Sequence, residues 1–477
     1  MMQTFYWHDY ETFGTDPQRD RPVQFAGLRT DEDFNSLEDP LVIYCKPTPD
    51  YLPHPDACMI TGITPHLAEQ KGVCEADFIT QINQQLLQPN TCTVGYNNLR
   101  FDDEVTRNSL YRNFFDPYER EWRNGNSRWD MIDVVRAARA LRPDGINWPL
   151  TVDGSPSLKL DQLTLANGIA HESAHEALSD VQATIEIAKL VKRAQPKLYQ
   201  FLLTHRLKAQ VVELLQLGSF KPLVHISGKY AATQNALAIV LPLCKHPTNN
   251  NGVIVYDLSV DPEPLLTLTS DQIRERIFTA TADLPEGIHR IPLKTVHINK
   301  CPVLAPVLVI RPEDEQRLGL DLTACFINLD KLKVALGLAD KIAAVFSAQT
   351  YSNEPLDPDL AIYSGGFFSD LDKQKMAKIR SLSPEQLAQA DFKFTDSRLS
   401  EMLFRYRARN YPHTLTEAEQ LQWHAFCKDR LTGQQAGAGI TLADYHLRLQ
   451  SLRDSQQGKD DIINALDAYA ALHANFE

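Results

Sequence analysis

The chain has 477 residues, 43% of them hydrophobic and 23% charged, with a formal net charge of −13 at pH 7. That length is too great for one hydrophobic core and implies two to four domains. The acidic balance argues against a protein that coats nucleic acid non-specifically, and the lack of any run approaching about 18 apolar residues argues against a membrane span.

In chain order, Thr4 to Asp9 reads as an opening strand, and Asp9 and Glu11 follow its apolar run too closely for a secretory signal. Cys92 to Tyr96 reads as a second strand, followed by a turn and a helical stretch from Asp103 to Asn113. Ser173-x-x-Glu176 has the form of a capping box, and Leu178, Val181, Ile185 and Ala188 then share one helical face. This α/β region is expected to end near residue 195. Short β-rich runs follow at Leu223–Ile226, Ala238–Leu241, Val253–Tyr256 and Val307–Ile310, with a helical insertion from Asp271 to Thr279. They predict a small β-barrel. The segment from Pro196 to Thr350 holds 16 Lys+Arg against 14 Asp+Glu, so the acidic excess lies outside it. Beyond the turn-rich Tyr351–Pro355 the pattern is helical, with Ser383-Pro384 as a helix start and Thr416-x-x-Glu419 as a capping box. The expected domains are 1–195, 196–350 and 353–477. The eight cysteines are scattered without a CxxC pair, which predicts free thiols in a reducing cytoplasm.

Three acidic elements carry the chemistry. Asp9-Tyr10-Glu11 lies on a strand, where residues i and i+2 share a face, so two carboxylates are offered to one point. Asn97-Asn98-Leu99-Arg100-Phe101-Asp102 follows an apolar strand and puts Asp102 where a helix begins. His175-Glu176-Ala177-Leu178-Ser179-Asp180 puts a histidine in the first turn of a helix and an acid further along it. Taken singly these are compatible with an edge-strand acid pair, a helix-capping Asp and a solvated helix start. Together, a strand-borne DxE, then NxxFD, then HxxxxD resembles the signature of the DEDDh exonucleases, whose fold is RNase H-like.

Phosphodiester hydrolysis needs charge neutralised at the phosphate, an activated water and a stabilised leaving alkoxide, which a pair of metal ions supplies. Hard cations such as Mg²⁺ prefer oxygen ligands. The resemblance implies two Mg²⁺ ions, with Mn²⁺ as a substitute. Asp9, Glu11 and Asp180 would hold one and Asp9 and Asp102 the other, with His175 as the general base.

Longer stretches extend the likeness: His8–Thr15, Gly95–Asn98, Asp103–Asn108, Asn126–Asp130, Ile146–Pro149 and Val296–Pro302. They resemble the bacterial exonuclease I family. That resemblance implies an exonuclease domain, an SH3-like barrel and a helical C-terminal domain. It also implies processive 3′→5′ degradation of single-stranded DNA to 5′-mononucleotides in DNA repair and recombination, by a cytoplasmic monomer. The strand contacts it implies are Glu11, Phe13, Arg107, Tyr118, Trp122, Arg136, Lys159, Asn251, Asn299 and Lys300. Tyr118 and Trp122 would stack bases and Phe13 would wedge the terminal ones, while Arg107, Arg136 and Lys159 would meet phosphates. Lys159 stands where the family is expected to carry arginine, which weakens phosphate grip there. Arg142, Lys221 and Arg311, flanked by Phe201, would receive the acidic, Phe-ended tail of single-stranded-DNA-binding protein. A DEDDh exoribonuclease and a non-catalytic single-strand-binding scaffold are the alternatives.

Overall fold

The computed structural model describes residues 3–152, 154–171, 175–231, 234–347, 357–433, 439–455 and 459–474. Ser173 and the turn at Tyr351–Pro355 therefore lie outside the described residues. By contact density the chain forms two units: Met1–Ser127 with His171–Ile185 and Glu354–Glu477, and Arg128–Ala170 with Glu186–Asn353.

The first sheet contains β1 (Thr4–Thr12), β2 (Pro22–Thr30), β3 (Leu41–Tyr44), β4 (Thr91–Gly95) and β5 (Ser127–Asp130), in the order β3-β2-β1-β4-β5. Antiparallel β2 and parallel β4 flank β1. A strand between two partners must be apolar on both faces, and β1 buries Phe5, Tyr6, Trp7 and Tyr10. Tyr6, Tyr10 and Phe25 pack on Phe78, Ile79 and Ile82 of helix Glu75–Leu86 and on Val105 and Leu110 of helix Asp102–Arg112.

Residues late in the chain complete this unit. Phe13, Val23, Tyr51 and Leu52 share a core with Tyr445, Leu449 and Leu452 of helix Leu442–Asp454 and Ile463 and Leu466 of helix Asp460–Ala474. Tyr111 and Phe114 pack with Met376, Leu399, Met402 and Tyr406. Each such fully buried Leu or Ile contributes about 1.5–3 kcal/mol. A buried ion network adds to these contacts. Asp50 takes Arg409 at 2.9 Å, Arg409 takes Asp359 at 2.6 Å, and Asp359 takes Arg405 at 3.0 Å. Arg21 and Arg430 approach Asp50 at 3.7 and 3.9 Å.

The second unit is built on an antiparallel sheet of β6 (Leu223–Ile226), β7 (Leu237–Lys245), β8 (Gly252–Asp257), β9 (Leu293–His297) and β10 (Val303–Pro306), in the order β10-β6-β7-β8-β9. Val240, Val253, Val255, Val296 and Leu304 form its core with Val211 and Leu215. The expected strand at Val307–Ile310 is corrected: Val307–Val309 is a 3-10 turn and the strand lies just before it. β10 pairs with the four residues of β6 and its last pair is Pro306 with Leu223, so Val307 has no further ladder partner. The helical parts agree with the reading. Ser270–Phe278 is capped by Thr269, and capping boxes at Ser383 and Thr416 open Pro384–Gln389 and Glu417–Leu431.

Candidate active site

β1, at the centre of its sheet, carries Asp9 and Glu11 to one point. Helix Ala177–Ala194 brings Asp180 in its first turn, and one carboxylate oxygen from each of the three lies within 4.8 Å of the others. Asp102 opens helix Asp102–Arg112, so the positive end of the helix dipole favours its charge. The β1–β4 ladder stops at Trp7 opposite Val94, which frees the Tyr10 backbone N–H to donate to Asp102 Oδ1 at 3.0 Å. Gly95 permits the turn before that helix, because a Cβ there would lie 2.7 Å from the Asn98 side chain and 2.9 Å from the His8 carbonyl.

The carboxylates disfavour one another's ionisation. Burial, then Asp102, Glu11 and Asp180, push Asp9 well above the usual carboxylate range. Burial and Asp180 push Glu11 up to about 8, and burial pushes Asp102 up to about 7 against the hydrogen bonds it accepts. Asp180 is raised by burial, opposed by a hydrogen bond to His171. Converging hard oxygen donors that repel one another in this way fit a divalent cation.

His175 differs from its expected place. It precedes helix Ala177–Ala194, in a left-handed conformation with φ 68°, and its side chain is exposed. His171, which the motif reading missed, puts Nε2 2.5 Å from Asp180 Oδ1. Nine residues of separation across a helix start carry no periodic signal that could have revealed it.

Among the other expected strand contacts, Phe13 is corrected. Its ring is 1% exposed within the core shared with Val23 and Tyr51, so it cannot reach a base without leaving that core. Trp122 is exposed. Tyr118 lies under the Arg107 guanidinium, 5.4 Å from the ring centre. That guanidinium makes two hydrogen bonds to Glu121 and one each to Glu104 and Tyr363, which uses four of its five N–H donors. These bonds fix the Arg107 guanidinium beside Tyr118.

In the second unit, Arg136 pairs with Asp133, and Lys159 is exposed just before helix Leu160–Ala166. Asn251 and Asn299 lie on adjoining turns. The Ile298 N–H donates to the Asn251 carbonyl at 2.9 Å, Lys208 reaches the Asn251 side chain at 2.8 Å, and Arg128 donates to the Asn299 carbonyl at 3.0 Å. Lys300 is exposed on the same turn. Arg142 and Arg311 both converge on buried Asp314, at 3.3 and 2.8 Å, together with Arg317 at 2.8 Å. Lys221 is hydrogen-bonded to Gln216, and Phe201 stacks on His205 at 4.0 Å.

Three family models match the chain: Exonuclease over residues 6–188, Exonuclease I SH3-like domain over 206–348, and Exonuclease I C-terminal domain over 356–473. The exodeoxyribonuclease I of Escherichia coli is 50% identical over 424 residues, 88% of each chain. The structure of E. coli exonuclease I in complex with a dA16 oligonucleotide superimposes with a TM-score of 0.94 at 47% identity, covering 99% of this chain and 100% of that one. A structure of SSB/Exonuclease I in complex with the inhibitor CFAM does so with a TM-score of 0.90 at 46% identity, again covering 99% and 100%.

Proposed function

Because the chain belongs to the exonuclease I family and is a single-strand DNA exonuclease, we propose that it removes 5′-mononucleotides processively from the 3′ end, using two Mg²⁺ ions. The observation that carries the metal reading is the convergence of Asp9, Glu11 and Asp180 within 4.8 Å, with Asp102 anchored beside them. Bound divalent ions supply charge neutralisation at the phosphate and at the departing oxygen. Asp9, Glu11 and Asp180 hold one ion, and Asp9 and Asp102 hold the other. His175, exposed just before the helix that carries Asp180, takes the proton of the attacking water. Tyr118 and Trp122 stack bases. Arg136, Lys159, Asn251, Asn299 and Lys300 follow the backbone of the strand, and Glu11 meets the terminal nucleotide.

The domains 1–195, 196–350 and 353–477 are supported by the limits of the three family matches. Eight free cysteines support a cytoplasmic enzyme, which we take to act as a monomer. Among the described residues no helix is long and apolar enough to cross a membrane.

End-labelled strands test the reading. In Mg²⁺, 3′-labelled single-stranded DNA should lose its label at once as mononucleotide, while 5′-labelled strands shorten progressively. Chelation should stop both. Equal rates on RNA would favour an exoribonuclease, and binding without cleavage would favour a scaffold.

The partner is the acidic, Phe-ended tail of single-stranded-DNA-binding protein. Arg142, Arg311 and Lys221 would meet its carboxylates and Phe201 its ring. Asp314 supports this by orienting Arg142 and Arg311 while leaving the Arg311 side chain 37% exposed. Arg311→Ala should weaken binding of a tail peptide about tenfold, roughly 1.4 kcal/mol, in a fluorescence polarisation titration. Turnover of naked single strands should not change. A peptide that binds the variant as tightly as the wild type places the dock elsewhere.

A further inference from the structure

We propose that His171 is a positioning residue that fixes the carboxylate of Asp180 for the cation, an inference that rests on reading Asp9, Glu11 and Asp180 as its ligands. His171 Nε2 lies 2.5 Å from Asp180 Oδ1, and the imidazole is 5% exposed, so the contact is held by its surroundings and is not a surface encounter.

A ligand carboxylate is ionised and can only accept, so the ring nitrogen facing it must carry a proton whichever tautomer the free histidine prefers. With Oδ1 bound in this way, rotation of the carboxylate is restrained and the other oxygen is left for the cation. Asp9 needs no such device. It lies on the central strand of the sheet, between two paired neighbours. Asp180 lies in the first turn of a helix, where its backbone N–H bonds the Glu176 carbonyl at 3.1 Å but no strand pairing orients the side chain. A partner from outside the helix supplies what the helix start lacks.

The test is a Mn²⁺ titration of the full chain by calorimetry, after stripping with EDTA, for wild type, H171L, H171Q and D9N. H171L fills the space without a donor, whereas H171Q keeps an amide donor at similar reach. H171L should weaken the strongest Mn²⁺ step about 10–100-fold, the range found when a ligand's hydrogen-bond partner is removed. H171Q should recover most of that loss. At saturating Mn²⁺ the KM of H171L for single-stranded DNA should equal that of the wild type, because His171 holds a ligand and not the strand. Unchanged or tighter Mn²⁺ binding by H171L overturns the proposal, the tighter case meaning that His171 competes with the cation for Asp180. If H171L does not fold, H171N decides. Its shorter amide cannot reach Oδ1, so affinity equal to that of H171Q overturns the proposal. D9N separates the two levels. If D9N also binds Mn²⁺ like the wild type, the metal-site reading has failed. If D9N loses binding while H171L keeps it, only the role of His171 has failed.

Discussion

Asp9→Asn should lower turnover of single-stranded DNA by about 10³-fold or more while making the metal-free protein more stable. The activity loss follows from the shared place of Asp9 in both proposed ion sites. Losing several kcal/mol of transition-state charge stabilisation, about 4 kcal/mol, corresponds to roughly 10³ in rate. The stability gain has the opposite sign because, without cations, Asp9 is repelled by Asp102, Glu11 and Asp180. An uncharged amide of the same shape relieves that repulsion, a gain on the order of 1 kcal/mol or about 2 °C in melting temperature.

The pH dependence in EDTA is a second reading of the same variant. Glu11 and Asp102 are pushed up to about 8 and about 7, whereas carboxyl groups in the unfolded chain ionise near pH 4. Between those values the unfolded chain binds fewer protons than the folded one, so the stability contributed by these two groups is full below about pH 4 and is lost as pH rises toward about 8. Asp9→Asn should make that decline shallower. Thermal melts in EDTA across this range, beside a turnover assay in Mg²⁺, check both signs. A variant that loses activity and stability together would mean that Asp9 is structural.

Arg409→Ala should cost about 3–5 kcal/mol, because removing one member of a buried ion pair leaves its partner charge desolvated. Arg409 bridges Asp50 and Asp359, both carboxylates held well below the usual range, chiefly by Arg409 acting against the cost of their burial. Arg21 and Arg430 stand farther from Asp50 and compensate only in part. Set against a typical total of about 5–15 kcal/mol, the loss is large. It should lower the melting temperature by about 6–10 °C in calorimetry. The depressed carboxylates stabilise the fold above about pH 4, and that contribution is lost as pH falls through their folded-state values. The control is Arg448→Ala, which breaks the exposed Asp56–Arg448 pair and should cost less than about 1 kcal/mol. Equal effects from the two substitutions would show that burial is not what gives the network its weight.

The four carboxylates were legible in the sequence because their placement is local. Strand alternation puts Asp9 and Glu11 on one face, and the ends of β4 and of the following turn put Asp102 at a helix start. Features that depend on distant partners were not. Phe13 reads as a free aromatic beside the site until residues more than four hundred positions later cover it. Arg107 reads as a phosphate contact, and its pairing with Glu121 and Glu104 was not read, although the i,i+3 spacing of Glu104 and Arg107 was a visible hint. Val307–Ile310 has the β-branched composition of a strand, but strand length is set by β6, whose four residues are already paired. Leu293–His297 was missed because Lys294 and Thr295 interrupt its apolar pattern.

The interleaving of the first unit also has a consequence for the order in which the chain is made. Asp9, Glu11 and Asp102 leave the ribosome early, whereas Leu449, Ile463 and Leu466, which close the core around Phe13 and Tyr51, come at the far end of the message. At about 5–20 residues per second, roughly 20–70 s separate the synthesis of Asp102 from that of Ile463. During that interval the nascent chain holds Asp9, Glu11 and Asp102 without the last helices that close the core around Phe13 and Tyr51. Stalled or truncated products that lack those helices are therefore expected to be inactive toward single-stranded DNA.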